Sequence, residues 1–243
     1  MAVIKICGLS RPEDIEAVNE AGPEYCGFII DFPKSHRNVT EEQVRQLRKG
    51  LKPEITPVGV VVNQPVMRAA ELLNKSIVDV IQLHGQENEE YIQQLRMLTK
   101  NVDAKENSEI DVDTEEYTKI NIEDGMKRNN DQRGQIWKAF KIRCREDLEK
   151  ALASSADAIV LDNGYGTGET FDWSILDDAG ARLKEKKIFL AGGLTPENIE
   201  DAIHRLDVWG IDISSGVETD KKKDRKKILA AVQAARRTGG DKQ

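Results

Sequence analysis

The chain has 243 residues, with 36 Lys and Arg against 43 Asp and Glu, and both signs of charge are spread along a formal net charge of −7. That length suits a single domain with a large core, and the acidic balance argues against a nucleic-acid partner while suiting an enzyme of small anions that carries local positive potential. No apolar run approaches a membrane span, the first residues lack a signal-peptide pattern, and Cys7, Cys26 and Cys144 show no CxxC spacing. A cytoplasmic protein with free thiols, no membrane partner and no zinc site is therefore expected.

Residues 3–7 read as a short apolar strand broken by Gly8, and 11–21 as a helix with Ser10 as its cap and Pro12 near its start. Residues 25–30 are a second strand. Thr40, with Gln43 three residues on, caps a helix over 40–49, and 56–62 is a third strand whose apolar run suits burial on both faces. The alternation continues with helix 65–74, strand 78–83 and helix 88–98. It resumes with strand 137–140, helix 146–153, strand 158–161 and helix 173–183. Residues 188–191 and 210–213 are the last two strands, with a helix between them that Thr195 caps, Pro196 opens and Asn198 completes as a capping-box partner. Residues 224–237 are the final helix. Eight short apolar strands alternating with eight helices predict an α/β fold closed as a (β/α)8 TIM barrel, with an open doubly wound sheet as the competitor.

Residues 100–134 break the alternation, with ten acidic and six basic side chains. They read as a polar inserted loop on an otherwise single-domain barrel. Alternation at Ile110 and Val112, and at Ile120 and Ile122, would suit a small hairpin.

Chemistry in such a barrel gathers at the C-terminal ends of the strands, which draws attention to Cys7, Arg37, Asn63, His84, Lys138, Asp162 and Asp212. Cys7 ends the first strand; as a thiolate, its pKa lowered by nearby positive charge, it would abstract a proton, and otherwise it is a small buried hydrophobe. Asp162 ends the sixth strand before the glycine-rich Asn163-Gly164-Tyr165-Gly166-Thr167-Gly168, where it would donate a proton under a loop that excludes water, or simply cap a turn. Arg37 is either a fork for a carboxylate or a solvated surface charge. His84 would orient a substrate group, and with three histidines and no second one nearby a metal site is not indicated. Asp212 interrupts an apolar strand as a barrel-mouth hydrogen-bonding group or a buried structural pair. Gly192-Gly193 and Ser214-Ser215-Gly216, each just past one of the last two strands, lie where such barrels hold a phosphate, or are ordinary loops with glycine at positive φ.

The stretches Lys5-Ile6-Cys7-Gly8-Leu9, Lys34-Ser35-His36-Arg37, Gln82-Leu83-His84-Gly85, Leu161-Asp162, Gly192-Gly193-Leu194-Thr195-Pro196-Glu197-Asn198 and Asp212-Ile213-Ser214-Ser215-Gly216-Val217-Glu218 together resemble the phosphoribosylanthranilate isomerases of tryptophan biosynthesis. The order is preserved along nearly the whole chain. The insertion lengthens a connection that is short in the family, and His36 stands where proline is common. The resemblance implies an Amadori rearrangement of a phosphoribosyl anthranilate, with Asp162 as general acid and Cys7 as general base. It implies Arg37 on the substrate carboxylate, Gly192, Gly193, Ser214, Ser215 and Gly216 on the phosphate, and His84 and Asp212 in support. No cofactor or metal is implied, and the partner is a small phosphosugar bound by a monomer or homodimer. A related phosphosugar isomerase or epimerase, and a non-catalytic phosphosugar-binding barrel, are the alternatives.

Overall fold

The computed structural model describes residues 2–103, 134–162, 174–177, 180–206 and 208–238. Each short apolar run becomes a strand covered by helices on one face and by the opposite wall of the sheet on the other, which is why hydrophobicity along it is continuous. Apart from a short antiparallel pair, Glu218–Thr219 with Lys222–Lys223, the strands are β1 (Val3–Cys7), β2 (Tyr25–Ile30), β3 (Asn38–Val39), β4 (Thr56–Val61), β5 (Val80–Leu83), β6 (Gln135–Lys141), β7 (Ala158–Asp162), β8 (Lys187–Ala191) and β9 (Gly210–Ile213). They pair in parallel in the order β1-β9-β8-β7-β6-β5-β4-β2, and β1 also pairs with β2. Lys5 thus stands between Asp212 on one side and Tyr25 on the other. That double pairing closes the sheet and decides for the (β/α)8 barrel over the open sheet. The two-residue β3 stands outside the count of eight and extends the edge of β2 beyond β1, with Ile29 opposite Asn38.

The surrounding helices are α1 (Pro12–Ala21), α2 (Glu41–Lys49), α3 (Val66–Asn74), α4 (Glu89–Asp103), α5 (Arg145–Ala153), α6 (Ser174–Asp177), α7 (Ile199–Leu206) and α8 (Arg225–Arg237). Thr40 and Gln43 form the expected reciprocal box on α2, an arrangement that contributes about 1 kcal/mol. Ser10 is not the cap of α1. Arg11 takes that place, and the Asp14 carboxylate accepts the backbone N–H groups of both Ser10 and Arg11 at 2.9 and 3.1 Å. The helix after β8 begins at Ile199, and Thr195 and Asn198 make the expected capping contact ahead of it: Asn198 Oδ1 accepts the Thr195 N–H at 2.8 Å, and the Thr195 carbonyl accepts the Asn198 and Ile199 N–H groups at 3.1 and 3.2 Å. Of the helix expected over 173–183, the described residues hold α6 and a 3-10 turn, Gly180–Glu185. Helix α4 runs through Asp103, so the first residues of the expected insertion are helical. Residues 104–133, with the hairpin expected there, lie outside the described residues.

Inside the barrel the side chains stack in layers. Tyr25, Trp137, Phe189 and Trp209 close the N-terminal end in edge-on contacts, with Tyr25 and Trp137 centroids 4.8 Å apart. Above them lies a buried polar layer of Lys5, Gln82 and Asp212. Because side chains alternate along a strand, Lys5 and Cys7 share a face, as do Gln82 and His84, and Val160 and Asp162. Cys7, His84 and Asp162 therefore form the rim above the polar layer.

Candidate active site

Cys7 reaches the barrel mouth because its neighbour across the ladder is a glycine. A Cβ on Gly27 would lie 2.8 Å from Cys7 Sγ and 3.1 Å from Lys5 Cε, so only glycine leaves room for both side chains. Lys5 is fully buried, and its Nζ donates to Asp212 Oδ2 at 2.6 Å and to Gln82 Oε1 at 2.7 Å. Stripping an ammonium of water costs several kcal/mol, which the carboxylate and amide oxygens offset. Burial works against the Lys5 charge, but Asp212 and Cys7 outweigh it and hold the ammonium above its ordinary range. Burial pushes the Cys7 thiol up, with Asp212 adding to the rise, while Lys5 and Lys223 pull it back without reversing it. The positive charge expected to make Cys7 a resting thiolate is present, yet desolvation prevails and the free protein holds a thiol. Asp212 proves to be half of a buried ion pair, and its Oδ1 has no hydrogen-bond partner among the described residues.

Asp162 ends β7 and is largely buried, with His84 Nε2 at 3.5 Å from its Oδ2. On its other side His84 Nδ1 lies 3.3 Å from Gln82 Nε2. The glycine-rich loop beyond Asp162, residues 163–173, lies outside the described residues. Lys138 does not face the mouth: Ala139 belongs to the lumen, so Lys138 points to the opposite face of β6. There its Nζ binds the Gly85 carbonyl at 2.7 Å and Glu87 at 3.1 Å, fastening the loop after β5. Asn63 serves the same loop, with its Oδ1 accepting the Gln86 N–H at 2.7 Å.

Arg37 is neither solvated nor open along its whole fork. Its stem crosses Gly8, where a Cβ would lie 2.4 Å from Arg37 Cδ, and this carries the guanidinium over the backbone next to Cys7. Nε and Nη2 donate to the two oxygens of Glu218 at 2.6 and 2.8 Å. Glu218 also accepts from Lys223 Nζ at 2.8 Å. Burial alone would raise the Glu218 carboxyl; the Arg37 bonds and the Lys223 charge reverse that and hold it at about 2. With the side edge of the guanidinium on Glu218, the Nη1/Nη2 edge is the one left to meet a second carboxylate.

The two glycine turns at the barrel's last strand ends meet backbone to backbone. Gly192 and Gly193 adopt φ of 85° and 65°, and a Cβ on Gly216 would fall 1.8 Å from the Leu194 carbonyl oxygen. Nothing larger than glycine allows that approach. Ser214 donates its hydroxyl to the Cys7 carbonyl at 3.1 Å, and Lys223 Nζ donates to the Ser214 carbonyl at 2.8 Å. The Ser214 side chain thus braces the turn against β1. Ser215 and Gly216 follow in a single 3-10 turn, Ser215–Val217.

The sequence matches the N-(5'-phosphoribosyl)anthranilate (PRA) isomerase family over residues 4–126 and 121–234. The chain belongs to that family. It is 36% identical to the N-(5'-phosphoribosyl)anthranilate isomerase of Acetivibrio thermocellus across 99% of this chain and 98% of that one. It is 37% identical to that of Thermoanaerobacter pseudethanolicus over 97% and 98%. Among solved structures, phosphoribosyl anthranilate isomerase from Thermotoga maritima superposes with a TM-score of 0.75 at 28% identity, covering 97% of this chain and 99% of that chain. A family structure in complex with reduced 1-(o-carboxyphenylamino)-1-deoxyribulose 5-phosphate gives 0.73 at 26%, over 97% and 99%.

In this isomerase, sequence reasoning missed Gln82, Glu218 and Lys223. Glu218 sits 181 residues from Arg37, and Gln82 sits 77 from Lys5. A polar residue inside an otherwise apolar strand was the available signal for Gln82, as it was for Asp212. Among the described residues no group of three or more His, Cys, Asp or Glu is placed to hold a metal ion, and no helix is long and apolar enough to cross a membrane.

Proposed function

We propose that this isomerase converts N-(5-phosphoribosyl)anthranilate to 1-(2-carboxyphenylamino)-1-deoxyribulose 5-phosphate in tryptophan biosynthesis, with Asp162 as general acid and Cys7 as general base. The observation that carries the assignment of roles is the pair of titratable groups on one barrel rim, Cys7 at the end of β1 and Asp162 at the end of β7, above a shared buried polar layer. Asp162 gives its proton to the furanose ring oxygen as the C1–O bond breaks, and the lone pair of the substrate nitrogen forms a C1=N iminium. The Cys7 thiolate then takes the proton from C2, and the C–H electron pair becomes the C1=C2 bond of an enolamine while nitrogen recovers its lone pair. Tautomerisation returns a proton to C1 and leaves the ketone at C2.

The order of steps follows from electrostatics. The thiol is held up by burial in the free protein, so the cationic iminium is the charge that favours a thiolate beside it and acidifies C2. Asp212 supports the site from below in this reading, holding the Lys5 ammonium in the buried layer beneath Cys7. The outer edge of Arg37 meets the anthranilate carboxylate, and the Gly192-Gly193 and Ser214-Ser215-Gly216 turns receive the phosphate through backbone N–H groups. The enzyme works in the cytoplasm without cofactor or nucleic acid as a monomer or homodimer; a relative from Thermotoga maritima is described as dimeric. Purified protein given phosphoribosyl anthranilate should deplete its fluorescence at a rate proportional to enzyme. No turnover by folded protein would refute the proposal.

A further inference from the structure

A chain of polar contacts runs under the rim from Lys5 to Asp162, and its chemistry fixes donor and acceptor in the two hydrogen bonds that begin it. Lys5 Nζ has only donors, so the Gln82 atom 2.7 Å away must be the amide oxygen. The other end of that amide is then the NH2 group, 3.3 Å from His84 Nδ1. An NH2 group has only hydrogens to offer, so Nδ1 must present its lone pair. The imidazole proton of a neutral His84 is thereby placed on Nε2, which lies 3.5 Å from Asp162 Oδ2. Gln82 is 1% exposed and Lys5 is fully buried, so neither amide nor ammonium can turn to water to escape this polarity.

We propose that Gln82 is a positioning residue of this isomerase, locking His84 as the Nε2–H tautomer so that it donates to Oδ2 of Asp162 and aims Oδ1 at the substrate. The inference rests on Asp162 being the general acid. A hydrogen bond to Oδ2 stabilises the carboxylate that remains once the proton has left, so it strengthens the acid in the step where the ring opens. It also fixes which oxygen carries the transferable proton. Lys5 is the origin of the polarity: it serves Cys7 and Asp212 at one end and, through Gln82, sets the orientation of the acid at the other. Both reacting groups are thereby tied to one buried ammonium.

The test uses the full-length protein labelled with 15N-histidine. In the resting enzyme above neutral pH, the His84 signals, recognised by their loss in His84→Asn, should show a protonated Nε2 and a bare Nδ1. In Gln82→Glu a carboxylate oxygen faces Nδ1, so Nδ1 should gain a proton, and kcat should fall about 10–100-fold with KM little changed. Gln82→Met removes the donor without adding a charge and should give a mixture of tautomers with a smaller fall in kcat. A wild-type His84 protonated on Nδ1 alone overturns the proposal whatever the variants do. So does an unchanged kcat in a folded Gln82→Glu or Gln82→Met protein whose tautomer has changed. The tautomer is read without substrate, so failure of the isomerase assignment would appear separately, as absent turnover in a wild-type protein with the stated tautomer.

Discussion

Gly216→Ala tests whether the contact between the two glycine turns is what builds the phosphate site. The added methyl would start 1.8 Å from the Leu194 carbonyl oxygen, and a close C···O contact needs about 3.3 Å, so the two backbones must part by about 1.5 Å. The obstacle is a main-chain carbonyl, with no flexible side chain to yield. A displacement of about 1 Å in a group that positions substrate can cost about 10²-fold, and a phosphate received at these turns would be held equally in ground and transition states. The loss of about 100-fold in kcat/KM should therefore appear mainly as a higher KM. Inorganic phosphate should weaken in parallel as a competitive inhibitor. Initial rates from loss of substrate fluorescence measure the first effect, and inhibition by phosphate the second, with circular dichroism confirming the fold. Gly50→Ala is the control, since its Cβ would meet Ile15 Cγ2 at an ordinary 3.6 Å. A folded Gly216→Ala enzyme with unchanged KM and phosphate inhibition would show that the phosphate lies elsewhere.

Cys7→Ala and Asp162→Asn should each lower kcat by about 10²–10⁴-fold with native circular dichroism, and because burial raises the Cys7 thiol, wild-type kcat/KM should still be climbing above pH 8; a plateau by pH 7 would contradict it. Arg37→Ala should raise KM for the carboxylate-bearing substrate, with Arg37→Lys a poor replacement, whereas an analogue lacking the carboxylate should bind wild type and variant alike. Glu218 titrates at about 2 when folded against an ordinary 4.5, so its contribution of about 2–3 kcal/mol is complete above pH 4.5 and is lost as pH falls towards 2. Urea unfolding at pH 5 and pH 3 should show that loss in wild type and a flatter response in Glu218→Gln; equal slopes would disprove it. Helix α4 ends and β6 begins on the N-terminal face of the barrel, away from the rim, so exchanging residues 104–131 for a short Gly/Ser connector should leave kcat/KM nearly unchanged. A large fall in a folded protein would place that segment in the chemistry.

Most of the barrel's strands and helices were legible in the chain alone, though β3 and the 3-10 turn Gly180–Glu185 were not. Strands buried on both faces must be apolar throughout, so β2 and β9 could be bounded to the residue, and the Thr40–Gln43 box announced α2 because a capping box is local chemistry. The candidate residues were legible for the same reason: Cys7, His84 and Asp162 are polar or reactive groups at the ends of apolar runs, and Asp212 interrupts one. A local signal was misread where two local groups competed for the same backbone donors. Ser10 looked like a cap, but Asp14 reaches back to Ser10 and Arg11 and leaves the N-cap position to Arg11. The partners of these residues came from the three-dimensional arrangement alone. Closure through β1 sets Lys5 opposite Asp212, the diameter of an eight-strand barrel brings Gln82 within 2.7 Å of the same ammonium, and the turn after β9 carries Glu218 onto Arg37. Those pairs span 77 to 207 residues, and no periodicity encodes them, because sequence patterning records which face of an element is apolar while the identity of the group across the lumen depends on the stagger with which the strands close.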